Sequence, residues 1–297
     1  MAGERAPLSV VVPTRDRPEH LEGCLLALNH VLAPGDEIVI ADSASLDDRT
    51  AKLAETFSAT YVRCDEPGAS RARNAGWRRA RHELVAFVDD DVHVQEGWAD
   101  ALVRSSIEHP DASYIATKIG HPPSEFQQAL MIEPERFFID ASTPVPIGHS
   151  ASLLVRRSVL TQLDGFDETL GAGARFHAAE DQDLFDRIFA DGLKGLYEPD
   201  SFAIHQAWRS RDDVRVVERA YGVGTGARLA KLMRTDRGRI GKVVRENVVY
   251  CLRGIGHAIR VRYRFLLVVM TVRLLATLGG FVRAMFVPVR NGHFRPR

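Results

Sequence analysis

The sequence predicts an α/β protein: a parallel sheet with crossover helices, followed by a helical C-terminal extension. Three observations predict it. Short apolar runs alternate with segments of helical periodicity four times within residues 8–91, the pattern of a sheet whose strands are joined by helices. Each apolar run closes on a polar or acidic cluster. Beyond Asp212 no strand-like run follows, only helical periodicity near 212–234, 240–260 and 262–287.

The elements follow in order. Residues 8–12, closed by Pro13, form an apolar run of buried-strand type. Residues 18–28 carry apolar positions at helical spacing, 37–41 form a second strand ending at Asp42, and 50–57 a second helix. A third strand spans 60–63, a helix spans 70–81 with Ser70 as its N-cap, and a fourth strand over 84–88 ends in Asp89-Asp90-Asp91. In open α/β sheets ligands bind beyond the carboxyl ends of the strands. The clusters at 14–16, 42–45 and 89–91 all fall there. Residues 120–149 hold five prolines and read as a surface loop or lid. A strand at 150–155, a helix at 180–190 closed by Asp191-Gly192, and short strands at 196–197 and 202–204 complete the core. No internal repeat or low-complexity tract is present.

Composition bounds the class. The 297 residues are 45% hydrophobic and 26% charged, with 39 basic and 39 acidic side chains, which excludes wholesale disorder. The zero net charge conceals two opposite bodies. Residues 220–297 hold 16 Lys and Arg but only Asp236 and Glu246 as acids, a net of +14, so residues 1–219 carry −14. Such asymmetry is informative about partners. Cys24, Cys64 and Cys251 are odd in number and far apart, which fits a reducing cytosol better than a disulfide framework. The N-terminus has no long apolar run of signal-peptide type.

Several clusters can carry chemistry. Asp89 and Asp91, past the end of a strand, can converge on one hard divalent cation whose other ligands are phosphate oxygens. A solvated turn is the plain alternative. Gly68 to Gly76 opens a helix with Arg71 and Arg73 near its N-terminus, an anion-site arrangement, although a basic helix face reads the same. Glu180-Asp181 starts a helix, where acids suit the dipole. A carboxylate held there can also take a proton from a hydroxyl. His205 follows the last short strand.

The order of these motifs resembles the family 2 glycosyltransferases, inverting enzymes of the GT-A fold. The resemblance covers roughly residues 8–206. It rests on Val10 to Thr14 ending in Pro-Thr, a second strand ending in Asp42, and Gly68, Ala72, Arg73, Asn74 and Gly76. It continues with Asp89 and Asp91, Gly165-Phe166-Asp167-Glu168, Glu180-Asp181-Gln182-Asp183-Leu184 and His205. It implies a GT-A domain over 1–211, with a nucleotide-binding half at about 1–119 and an acceptor half at about 120–211, before a basic helical region at 212–297. It implies Asp181 as catalytic base and Asp89, Asp91 and His205 at a Mn²⁺ or Mg²⁺ ion. Pro13, Thr14, Arg15, Asp42, Ser43, Arg73, Asn74, Asp89, Asp90 and Glu180 would line the donor. One departure is Asp42-Ser43, where many members carry two acids.

The implied reaction is a single displacement. A sugar moves from a nucleotide-diphosphate donor to a hydroxyl of a glycan or lipid-linked acceptor. Alternatives are a retaining GT-A transferase, a nucleotidyltransferase, whose Gly-rich loop is lacking after the first strand, and a non-catalytic scaffold. In the tail, Arg273 and Gly279-Gly280 argue against a spanning helix at 264–290. A basic helix on an anionic bilayer face remains, as does a helical subdomain or oligomer interface pairing with the acidic core. No nucleic-acid module is recognisable. The expected location is cytoplasmic, peripheral at the inner face of the cell membrane.

Overall fold

A computed structural model describes residues 5–121, 135–143, 147–206 and 211–295. The expected alternation holds through β1 (Leu8–Thr14), α1 (Pro18–Val31), β2 (Glu37–Ser43), α2 (Arg49–Thr56), β3 (Thr60–Cys64), α3 (Ala69–Arg79) and β4 (Leu84–Val88). The chain continues as β5 (Val92–Val94), α4 (Trp98–Glu108), β6 (Ala112–Gly120), β7 (Phe137–Ile139), β8 (Ser152–Arg156), α5 (Arg157–Gln162), α6 (Glu180–Ala190) and β9 (Lys194–His205). Three helices follow, α7 (Arg211–Thr235), α8 (Arg237–Arg260) and α9 (Arg264–Met285), and then a hairpin of β10 (Val289–Arg290) and β11 (His293–Phe294).

The main sheet runs β3-β2-β1-β4-β8-β6-β9-β5, with β7 also on β9. Its central strands β1 and β4 are buried on both faces. Val10 and Val12 join the layer of Leu21, Leu25 and Trp98, whereas Val11 joins Trp77, Phe87 and Phe185, as period-two alternation requires. Parallel pairing holds among β1 to β4 and recurs between β6 and β9. β8 is antiparallel to β4, because the chain enters it from the carboxyl end of β4, where Asp89 N–H donates to the Ala151 carbonyl. The sheet is therefore mixed.

Other expectations are corrected. The strands at 196–197 and 202–204 are one strand, β9, whose register against β6 jumps from Thr117–Glu198 to Lys118–Phe202. Pro199 and Asp200 lie in the bulge, the place a proline is tolerated in a sheet. The 120–149 segment contains β7, while 122–134 and 144–146 lie outside the described residues. Ser70 is not the cap of α3: Gly68 is, and the Ser70 hydroxyl, inside the first turn, donates to the Leu170 carbonyl. Past Asp212 the structure does have strands, the β10–β11 hairpin, whose two-residue arms are too short to show periodicity.

The tail's innermost bases face the core. Arg228 binds both carboxylate oxygens of Asp186, at 2.6 and 2.9 Å, and Arg239 reaches the same carboxylate at 3.0 Å. Lys231 pairs with Asp167 and, at 2.6 Å, with Asp183. α9 lies on α7 backbone to backbone. A Cβ on Gly226 would stand 2.0 Å from the Thr277 carbonyl oxygen, and one on Gly280 2.2 Å from that of Val223. Glycine is what permits this approach. Among the described residues α9 is the one helix long and apolar enough to cross a membrane, with mean hydropathy 2.1. Its central Arg273 is turned inward, with Nη1 donating to Glu218 on α7 at 2.6 Å.

Removing the Lys231 charge leaves buried Asp167 without a cation and Asp183 with Arg187 alone. Lys231→Met will cost about 3–5 kcal/mol in urea unfolding, the usual penalty of breaking a buried pair. The Asp167 carboxyl is held below its ordinary pKa because Lys231 and hydrogen bonds from Phe294 and Thr169 outweigh burial, which acts upward. Its contribution is complete above the usual carboxylate range and is lost as pH falls through the lowered folded value. Wild-type stability will therefore decline in acid more steeply than that of Lys231→Met.

Candidate active site

The carboxyl ends of β1, β2 and β4, the start of α3 and the start of α6 meet at one junction. Arg73 joins them. On α3 it is 3% exposed; its Nη2 donates to Asp89 after β4 at 2.7 Å and its Nη1 to Glu180 on α6 at 3.0 Å. Its guanidinium lies 5.7 Å from the centre of the Phe166 ring. Burial acts to lower its pKa, but Asp89 and Glu180 raise it on balance. Burial pushes the Glu180 carboxyl above its ordinary range, with Arg73 opposing and neighbouring Asp181 adding to the rise. Arg71 faces away from this junction: its Nε donates to Glu168 at 3.3 Å, and its Nη1 binds Glu66. The expected anion site thus has one arginine, not two.

The acid triplet splits three ways. Asp89 goes to Arg73. Asp90, fully buried, accepts from the Thr14 hydroxyl at 2.7 Å. Arg17 Nη2 lies 2.9 Å from Asp90 Oδ1, yet that oxygen has no hydrogen-bond partner. Burial pushes the Asp90 carboxyl up to about 7. Asp91 faces Arg17 Nη1 at 3.2 Å and His205 Nε2 at 3.5 Å. The Asp91–His205 contact follows from register, since Val92 of β5 pairs with His205 of β9. Asp89 is engaged by Arg73, whereas Asp91 faces Arg17 and His205. Among the described residues no three metal-capable side chains converge. Asp91 and His205 still offer two adjacent donors. This set fits a divalent ion completed by phosphate oxygens.

Asp181 sits in the first turn of α6 and accepts from Gln182 N–H through Oδ1. Its Oδ2 is 3.8 Å from His149 Nδ1. The approach to this helix is strained: His177 and Ala179 have φ of 62° and 72°, values that non-glycine residues adopt at a cost and that cluster at functional sites. α7 presses on this turn. A Cβ on Gly224 would lie 2.4 Å from the Ala178 carbonyl oxygen.

At the nucleotide end, β1 and β2 bring Thr14 beside Asp42 by register. Asp42 is fully buried and accepts from the Tyr61 hydroxyl at 2.6 Å, Ser45 N–H at 2.8 Å and Arg63 Nη1 at 3.2 Å. Its carboxylate is thus enclosed by protein donors. The Ser43 hydroxyl accepts from Gly68 N–H, and Pro13 is buried behind the strand end. Arg15 is exposed, beside Asp16 at 3.5 Å. Asn74 is fully used: it donates to the Phe166 carbonyl and Glu168 and accepts from Phe166 N–H and Trp77 Nε1. It pins the Gly165–Glu168 turn, where Gly165 has φ of 64° and a Cβ would meet the Asn74 oxygen at 2.3 Å.

Sequence reasoning missed Arg17, Tyr61, Arg63 and His149. Tyr61 and Arg63 alternate on a strand beside Asp42, a pattern that could have pointed to them. Arg17 and His149 reach their acids across the fold, and no local pattern marks that.

The Glycosyl transferase family 2 model matches residues 9–163. A pre-mycofactocin glycosyltransferase of Mycobacterium tuberculosis is 27% identical over 243 residues, 75% of this chain and 47% of that protein. The chain thus spans about half the length of this relative. A glucosyl-dolichyl phosphate glucuronosyltransferase of Haloferax volcanii is 23% identical over 245 residues, 76% of this chain and 78% of that one. The solved structure of a mannosyltransferase from Pyrobaculum calidifontis with GDP-Man and Mn²⁺ matches with TM-score 0.63 at 17% identity, over 94% of this chain and 88% of its own. Likeness at that identity shows a shared fold, here GT-A.

The Arg73 bridge sets a stability expectation. Arg73→Ala leaves Asp89 and Glu180 facing each other without a cation and will cost about 3–5 kcal/mol in urea unfolding. Arg73→Lys, which keeps the charge but not the two-pronged geometry, will recover only part of that loss.

Proposed function

The chain belongs to glycosyl transferase family 2, and from that premise we propose that it is an inverting, metal-assisted transferase. It moves a sugar from a nucleotide-diphosphate donor to an acceptor hydroxyl. The observation that carries this reading is the Arg73 bridge, which holds the Asp89 end of the site and the Glu180-Asp181 end in one rigid arrangement.

In this reading Asp181 is the general base. Its carboxylate takes the acceptor proton as the acceptor oxygen bonds to the anomeric carbon and the bond to the diphosphate breaks. No covalent glycosyl-enzyme forms, so one base suffices. His149, 3.8 Å away, orients the Asp181 carboxylate. Glu180, held by Arg73, fixes the first turn of α6. Asp91 and His205 would hold Mn²⁺ or Mg²⁺, with Asp89 contributing through water, and the ion supplies charge neutralisation at the departing diphosphate. Arg73 adds a fixed positive charge at the same end. The nucleotide base lies near Pro13 and the Asp42 pocket, where Arg63 and Arg15 are the outward donors. Thr14, Ser43, Asn74 and Asp90 act by holding the loops.

The division into a catalytic domain over 1–211 and a basic helical region over 212–297 belongs to this proposal. So does a cytoplasmic protein held peripherally at the inner membrane face, acting on a glycan or lipid-linked glycan. The Haloferax relative, a glucosyl-dolichyl phosphate glucuronosyltransferase, supports that acceptor class.

Two experiments test the reading. Asp181→Asn will lower kcat by ~10²–10⁴, while calorimetry shows donor-nucleotide affinity nearly unchanged; equal loss of both would remove Asp181 as base. Thermal-shift measurements with UDP, GDP and dTDP will show stabilisation by one of them that chelation of Mn²⁺ removes. No shift with any nucleotide would favour a non-catalytic scaffold.

A further inference from the structure

We propose that the outer face of α8 and α9 docks on an anionic lipid bilayer and so brings the cleft to an acceptor anchored in that bilayer. This deepens the glycosyltransferase reading and rests on it for the acceptor. The first observation is a pair of unpartnered apolar stripes. On α9, Val268, Leu275, Leu278 and Val282 recur at helical spacing and are exposed, Leu275 at 62% and Leu278 at 59%. On α8, Val244, Val248, Leu252 and Ile259 do the same. Val261, Tyr263 and Phe286 extend the exposed apolar surface at the helix ends, Phe286 at 83%. Contiguous exposed apolar surface of this kind marks an interaction face.

The second observation says how the face lies. The opposite side of α9 is fixed on α7 by the glycine contacts and by the half-buried Arg273–Glu218 pair, with Tyr221 and Tyr250 at 5.7 and 5.0 Å from Arg273. Drawing α9 out to span a bilayer would break that packing and carry Arg273 to the apolar centre, which is costly. The helices therefore lie in the interfacial plane with only their outer stripes immersed.

The third observation selects the occupant. From 237 to 295 the single acid is Glu246, already paired with Arg245 at 3.0 Å. Arg253, Arg260, Arg262 and Arg264 are exposed along α8 and around the α8–α9 turn, and Arg283 and Arg290 near the other end of α9. A second copy of this face would set arginine against arginine with no acid between them. Anionic headgroups supply the missing charge, and long arginine side chains reach them while their stems stay on the apolar surface.

The last observation links face and site. α9 packs on α7, and α7 at Gly224 abuts Ala178, three residues before Asp181. One helix thus separates the bilayer-facing layer from the proposed base.

The test is co-sedimentation of the full-length protein with vesicles of phosphatidylcholine alone or mixed with phosphatidylglycerol. Wild type will pellet with the mixed vesicles about tenfold better than with neutral ones, and added salt will weaken this. Leu275→Glu/Leu278→Glu will lose the binding while keeping nucleotide affinity by calorimetry, which shows it is folded. Failure of wild type to pellet, or pelleting of the double variant like wild type, overturns the proposal. So does a wild-type dimer in sedimentation velocity that the double variant dissolves, since a second copy then covers the face. Vesicle binding by a wild type that binds no nucleotide would instead defeat the catalytic reading and leave the docking face standing.

Discussion

The arrangement turns on one buried guanidinium. Arg73 is inserted between the carboxylate after β4 and the carboxylate at the start of α6, two groups far apart in sequence. Two acids this close would otherwise repel and take up protons. With Arg73 between them, each has a charge-assisted partner, and the desolvation of all three is offset by geometry that only a forked cation provides. The same contact decides the shape of the site. It engages Asp89 while Asp91 faces His205, and it holds Glu180 at the start of α6, next to Asp181.

Around that centre the motif residues mostly act as scaffold. Asn74 exhausts its four hydrogen-bonding positions on the turn that contains Gly165. Asp167, two residues on, is where the tail is fastened, through Lys231 and the Phe294 N–H. The zero net charge is thus partly a physical neutrality and partly a coincidence. Arg228, Lys231 and Arg239 neutralise Asp167, Asp183 and Asp186 inside the molecule, whereas the arginines of the α8–α9 turn face outward with no acids opposite them. The two roles foreseen for the tail are complementary: its inner layer belongs to the core, and its outer layer is free for another surface.

The sequence made legible what local pattern encodes. β1 to β4 could be read because four apolar runs alternate with amphipathic segments, and α6 because Leu184, Phe185, Ile188 and Phe189 recur at helical spacing before the closing Asp191-Gly192. The antiparallel course of β8 could not, since a strand buried on both faces looks the same in either direction. β9 was read as two strands because Pro199 breaks the pattern but not the sheet. In the site, residue types at strand ends pointed to the acids, yet their partners could not be inferred. Whether Asp89 meets Asp91 or Arg73 depends on a helix placed by packing, and whether Asp42 faces a ligand or Tyr61 depends on the neighbouring strand.

If Arg73 aligns the two ends of one displacement, with Asp181 on the far side of the anomeric carbon from the departing diphosphate, the stereochemical outcome is fixed. Proton NMR of the first-formed product reads it directly from the anomeric coupling constant. An anomer opposite to that of the donor is the predicted result, and a product with the donor's configuration would contradict the account.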